Sequence, residues 1–478
     1  MARLRNVVTV FLLTSACLIG AVPPTNAIAQ TKPVAAVDAG EADAVAAWVS
    51  RHAIVLKTLD ASRGLDDLKP LKQVLRNTRV VGLGEESHGA REIFQFKHRM
   101  IEFLVRELGF RVLAMEVSYP ASLSINDYVL NGRGDRDKAL ADQELWAWDT
   151  EEVTSVIEWM RQYNRTAPEE KKVKFAGFDM HNSAQAIDVI LDYLRKVAPQ
   201  RVEATAAGLK ALRPGGPGRQ HFDYILVPAA AKAQTQTAIN ELMGFLSLNQ
   251  ARFSRLTSAQ EFNATFEHAR ILAQFADVYG RPDVDKEHPE NSRGAARDFY
   301  MAENIERAIS ADGPNARAIV WAHNEHIATS KQGMGSHLRQ MYGPAYYAIG
   351  SSFNQGSFQA REMTKEATIG ALAEFKVGPA QQGSIDWYLA RTGMKTFMVD
   401  FRQAATDPLM SRWLKTTHRM RMIGLGFSYQ WRDSMTSISI DGSFDGIAFI
   451  DQVTRARPNA TGMRGPWVIG EKTQNSPQ

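Results

Sequence analysis

The chain has 478 residues, of which 44% are apolar and 23% charged, with a formal net charge of +4 at pH 7. These values exclude a disordered or fibrous protein, and the length suits either about three domains or one large α/β unit with insertions. Arg3 and Arg5 supply two of the positive charges and belong to a leader, so the remaining excess is too small to point to nucleic acid as a partner.

In that leader, Arg3 and Arg5 precede the apolar run from Val7 to Val22, and Ala27-Ile28-Ala29 forms a small-x-small cleavage site before Gln30. Residues 1–29 are therefore read as a secretory signal peptide. This predicts a periplasmic or secreted protein with no stable membrane insertion after cleavage. Cys17 could instead be a lipidation site, but Thr14 stands three residues before it, where a bulky aliphatic is usual. Cys17 is the only cysteine, so cleavage removes disulfides, thiol catalysis and thiolate zinc ligation from consideration.

Residues 30–40 follow as a linker, and Glu41 to Leu59 carry helical spacing with Val45, Trp48, Val55 and Leu59 as core positions. Val80-Val81-Gly82-Leu83 reads as a buried strand with Gly84-Glu85-Glu86-Ser87-His88-Gly89 at its exit. Ile93, Phe96, Met100 and Leu104 then form one face of a helix ending at Gly109. Val112 to Met115 returns as a strand, completing a right-handed βαβ unit and placing Glu116 on the neighbouring strand. Later strands are read at Val173 to Phe178, Ala318 to Ala322, Tyr346 to Ile349, Phe397 to Val399 and Ile447 to Ile450. Asp179, His323, Asp400 and Asp451 follow four of them. Between Asp179 and Ala318 the pattern is helical over Ala186 to Val197, Ala229 to Leu248, Ser258 to Tyr279 and Ala295 to Ser310, broken by the loop Pro214-Gly215-Gly216-Pro217-Gly218. The expected fold is α/β, a central mostly parallel sheet with flanking helices. Residues 41–195 and 296–465 form its core, 196–295 a helical insertion over the catalytic edge acting as lid or pocket wall, and 466–478 a flexible tail.

Parallel strands present chemistry at their carboxyl ends. Glu85 and His88 are three apart, close enough for the carboxylate to orient the imidazole. Glu116 projects into the same crevice, and Trp321-Ala322-His323-Asn324-Glu325-His326 brings two further imidazoles. A lone loop histidine is more often a surface or core residue than a catalyst. Three strand ends supplying Glu85, His88, Glu116, His323 and His326 turn that balance towards function. Other readings are weaker or remain open. Ser87 as nucleophile lacks a Gly-x-Ser-x-Gly elbow. The histidines and glutamates are competent zinc ligands. Gly82-x-Gly84 is half a dinucleotide fingerprint, with Ser87 where the third glycine belongs. Trp146 and Trp148, just before a helix, are candidates to line a pocket, whereas Trp159 and Tyr163 at helical spacing read as core. Arg297, Asp298 and Asn304, on a predicted helix, read by themselves as ordinary solvent-facing charged and polar side chains.

Taken together these motifs resemble the erythromycin esterase family. The resemblance rests on Gly84 to Gly89, on Glu116, on Trp148 through Asn164 and on Gly177-Phe178-Asp179-Met180. It continues through Arg297-Asp298 with Met301-Ala302-Glu303-Asn304, through Trp321 to His326, and through Gly350 with Gly356 and Phe358, in the family's order. It implies an α/β core with a helical insertion, and hydrolysis of a small-molecule macrolide-like lactone by water, with no acyl-enzyme, metal or other cofactor. On that reading His88 is the general base, and Glu85 and Glu116 orient base and water. His323 and His326 stabilise the oxyanion or protonate the leaving hydroxyl. Arg297 and Asp298 are cleft supports, grouped with Trp146 and Trp148 as substrate-binding residues. The chain departs from the pattern at Glu86, where many relatives have a small residue; its carboxylate either faces away or changes the charge of the cleft mouth. The rival expectations are a metal-dependent hydrolase using the same residues and a non-catalytic envelope binding protein with the same cleft.

Overall fold

Apolar β-branched runs become the central strands of one mixed sheet. The computed structural model describes residues 38–459, except 214, 216–219, 331–332, 364–368 and 430–433. The leader with its cleavage site, most of the linker, the tail 466–478 and all but Gly215 of the Pro214–Gly218 loop lie outside the described residues. The first strands are β1 (Ile54–Val55), β2 (Val80–Leu83), β3 (Val112–Ser118), β4 (Lys174–Asp179), β5 (Ala318–Trp321) and β6 (Tyr346–Met363). They are followed by β7 (Ile369–Val377), β8 (Thr396–Asp400), β9 (His418–Arg421), β10 (Gly426–Phe427), β11 (Met435–Ile438) and β12 (Gly446–Val453). The main sheet runs β1-β8-β12-β6-β2-β5-β3-β4, with β7 and β10 also paired to β6, while β9 and β11 form a separate pair. From β12 to β4 every neighbour is parallel. Their carboxyl ends therefore share one edge.

Several expectations change. β3 does not lie beside β2, because β5 is inserted between them, pairing Val80 with Ala318 on one side and Val112 with Ala318 on the other. His323 consequently stands between the Glu85 loop and Glu116. β8 runs antiparallel to β12, so Asp400 sits at the opposite edge, accepting a 2.8 Å hydrogen bond from the Tyr347 hydroxyl. Asp451 accepts from Asn354 Nδ2 at 2.8 Å and does not line the cleft described below. The strand begun at Tyr346 continues to Met363 and doubles back against β7. Its polar stretch Ser351 to Gln355 conceals that length from a hydropathy pattern.

The first helix, α1 (Ala39–His52), starts inside the expected linker because the Asp38 side chain accepts the Gly40 amide at 2.8 Å and caps it. It stops before Ile54 and Val55, which pair with β8 instead, leaving Val55 54% exposed rather than in the core. Helix α2 (Arg91–Leu108) buries Ile93, Phe96, Met100 and Leu104 as its spacing requires. It ends at Gly109, whose φ of +70° is the left-handed cap that glycine adopts without strain. Further on, α3 (Tyr119–Asn131), α4 (Glu151–Thr166) and α5 (Ser183–Val197) precede the long pair α6 (Ala229–Leu256) and α7 (Ala259–Gly280), and α8 (Arg293–Asp312) leads into β5. α7 packs on α5, α6 and α8. Among the described residues no helix is long and apolar enough to cross a membrane.

Candidate active site

The loop after β2 holds the first pair. His88 Nδ1 lies 2.6 Å from Glu85 Oε1, and both side chains are buried. A carboxylate accepts, so Nδ1 carries the proton and Nε2 is left with a lone pair. The other oxygen, Glu85 Oε2, accepts from Lys97 Nζ at 2.5 Å and from the Trp321 indole at 2.8 Å, and Lys97 also donates to the Ala322 carbonyl at 3.1 Å. Lys97 is fully buried, and desolvation brings its ammonium down to about 8 despite the Glu85 charge. Glu85 is thus held from three sides, which fixes the His88 ring. Gly89 closes the loop against β6. A Cβ there would lie 1.9 Å from the Gln359 carbonyl, so only glycine fits.

A second cluster gathers at the ends of β3 and β4. The β3–β4 register shifts between Met115 and Ser118, an irregularity of the kind that re-aims side chains, and Glu116 lies within it. Glu116 Oε1 accepts from Arg297 Nη2 at 2.9 Å and lies 3.3 Å from His326 Nε2, while Oε2 accepts the His323 amide at 3.1 Å. Burial alone would raise Glu116, but His326 and Arg297 hold it well below the usual carboxylate range. Arg297 also binds Asp179, through Nη2 at 2.5 Å and Nε at 3.3 Å. His326 Nδ1 donates to Asp298 Oδ1 at 2.6 Å. Burial would lower His326, yet Asp298 and Glu116 push it up to about 10, so it is an imidazolium. Arg297 Nη1, 3.0 Å from its Nε2, is then a contact of two cations compensated by Glu116, Asp179 and Asp298 rather than a hydrogen bond. With Asp298 on one ring nitrogen and Glu116 on the other, His326 is a fixed structural charge.

His323 differs from its neighbour. Its Nδ1 accepts the Glu325 amide at 3.3 Å, placing the ring proton on Nε2, and that buried atom has no protein partner. Burial, reinforced by the His326 charge, lowers His323 to about 3, so it is a neutral N–H donor at working pH. The His88 and His323 rings are 5.0 Å apart.

These groups meet in a cleft of about 420 Å³ lined by residues including His88, Glu116, Trp148, His181, Tyr279, Arg297, His323 and His326. Trp148 presents itself edge-on to His88, with ring centroids 5.5 Å apart. Trp146 does not line the cleft. It is buried in the apolar core while Leu145 takes its place on the wall, because consecutive side chains diverge. Asp298 borders an adjoining cavity of about 570 Å³ that shares Glu325 with the cleft. Ser87 is fully buried, and its hydroxyl accepts the Gly89 amide at 3.2 Å, shaping the turn. Glu86 faces away: Oε2 accepts the Phe353 amide at 2.6 Å, and burial with the Asp386 charge pushes its carboxyl well above the usual range. It therefore adds no charge to the cleft mouth. Asn304 bonds the Phe178 carbonyl and Gln274, tying α8 to β4 and α7. Among the described residues no three histidine or carboxylate side chains converge in a way that could hold a metal ion.

Sequence reasoning missed Lys97, His181 and Tyr279. Lys97 occupies the helix position between Ile93 and Met100 on the buried face, and that placement was the available signal. His181 follows Asp179 at a strand exit, in the same relation as His88 to Glu85 but at shorter spacing.

With this architecture in place, the comparisons assign the family. The erythromycin esterase family profile matches residues 105–453, and the chain belongs to that family. The matched segment begins within α2, after the Glu85–His88 loop. The chain is 23% identical over 385 residues to erythromycin esterase type II of Escherichia coli, covering 75% of this chain and 89% of that one. Its fold is similar to that of a Bacillus cereus protein, with a TM-score of 0.75 and 24% identity over 87% of this chain and 99% of that one. It is also similar to that of a mutant erythromycin esterase, EreC, in its open conformation, with a TM-score of 0.64 and 15% identity over 85% of this chain and 98% of that one.

Proposed function

We propose that the protein is a hydrolase that opens macrolide-type lactone rings by adding water directly to the ester carbonyl. The observation that carries this reading is the Glu85–His88 pair, a histidine with its lone pair on Nε2, in the same cleft as the unpartnered Nε2–H of His323. His88 takes a proton from water, and the carbonyl oxygen gains charge in front of His323, a preorganised donor in a site shielded from solvent. Glu116 and Arg297 hold the far wall and position His323 through its amide. Family membership and the similarity to erythromycin esterase type II support ester hydrolysis as the reaction. The adjoining cavity supports a large substrate. Its wall includes Met422, Ile438 and Phe444, an apolar surface beside a polar centre. Incubation of the purified protein with a panel of macrolides is expected to yield a product heavier by one water. Unchanged macrolides, or a product carrying an added group other than water, would remove this reading.

Export belongs to the same proposal, supported by Arg3, Arg5, the apolar run and Ala27-Ile28-Ala29. Intact mass of protein from the envelope fraction is expected to place the N-terminus near Gln30. A cytoplasmic product retaining Met1 would contradict it.

A further inference from the structure

Ester cleavage needs a second proton transfer, because an alkoxide is a poor leaving group until protonated, and apart from His88, which holds the water's proton after the first step, none of the groups described above is free to supply that proton. His323 is neutral down to about pH 3, so giving up its Nε2 proton would leave an imidazolate. His326 has each ring nitrogen on a carboxylate. Glu116 is ionised, and burial pushes the Tyr279 hydroxyl far up, making it a weak acid.

His181 is different. It lines the cleft, is 8% exposed, and has Nδ1 3.1 Å from Asp179 Oδ2 while its buried Nε2 has no protein partner. Asp179 is itself fixed by Arg297. This repeats the Glu85–His88 arrangement, a carboxylate orienting an imidazole whose far nitrogen is left for chemistry. From these observations, and resting on the ester-hydrolase reading above, we infer that His181 is a further catalytic residue that protonates the leaving oxygen. Water adds to the carbonyl carbon as His88 Nε2 takes one of its protons, forming an oxyanion at His323. Collapse reforms the carbonyl and breaks the bond to the ring oxygen, whose electron pair takes the proton from protonated His181 Nε2. His88 ends protonated and His181 neutral, and exchange with solvent restores both. Asp179 Oδ2, 3.1 Å from Nδ1, orients the ring.

A leaving group that needs no proton separates this role from a structural one. His181→Gln and His181→Asn, each checked for wild-type thermal unfolding, are assayed on a macrolide and on a p-nitrophenyl ester. The expected result is a kcat for lactone opening about a hundred-fold lower or more, KM within threefold, and a p-nitrophenyl ester rate within threefold of wild type. Equal losses on both substrates, an unchanged lactone rate, or a loss in KM alone would overturn the assignment while leaving ester hydrolysis standing. If the wild type accepts only the lactone, the split between kcat and KM decides. A wild type that turns over neither substrate overturns the ester-hydrolase reading, and this inference with it.

Discussion

His88→Asn is expected to slow lactone opening by roughly a hundred- to ten-thousand-fold, the range for removing a positioned general base, while the protein stays folded and still binds a macrolide. Water near neutral pH is a poor nucleophile, and Nε2 of His88 is the lone pair that the Glu85 contact leaves for it. Binding changes less, because the apolar wall of the adjoining cavity and Trp148 are untouched. Stopped assays with a matched binding titration check both halves. By contrast, Ser87→Ala is expected to be much milder, because that hydroxyl serves a backbone amide. A folded His88→Asn enzyme with near-normal turnover contradicts the assignment.

The second large effect is expected at His323. His323→Asn keeps a side-chain oxygen to cap the Glu325 amide but withdraws the Nε2–H donor. Losing one oxyanion donor costs about a hundred- to a thousand-fold in kcat. Because burial lowers His323 to about 3, the ring does not titrate where the enzyme works, so the acid limb of the variant's pH–rate profile stays where it is in the wild type. Parallel pH–rate profiles check this. An acid limb that shifts in the variant would contradict a neutral donor at His323.

Residues at the exits of β2, β3 and β5 were legible because parallel strands ending in ionisable side chains announce a crevice. Glu85, His88, Glu116, His323 and His326 all reach it or its wall. Asp400 belonged to the same pattern and fails, since the sequence does not encode the direction in which β8 enters the sheet. The neighbour relation between β2 and β3 fails for a related reason: β5 comes from beyond the long helical segment and is inserted between them. Lys97 was passed over, although its spacing places it on the buried face, because a lysine inside an amphipathic helix ordinarily lies on the solvated one; here the buried Glu85 carboxylate compensates its charge. His181 escaped notice because the strand-exit rule singled out Asp179 alone, and only the packed geometry shows the imidazole leaning on that carboxylate. Glu86 shows the converse limit, a carboxylate beside the Glu85–His88 pair whose side chain turns into the body of the fold.

Direct attack by water is tested most sharply by acid-quenching the enzyme during steady-state turnover of a macrolide in ¹⁸O-labelled water, then weighing product and protein together. The expected result is a product heavier by one labelled water and a protein at its unmodified mass at every quench time. A protein heavier by the opened macrolide, with the adduct on Ser87 or any other side chain, would show an acyl-enzyme and contradict it.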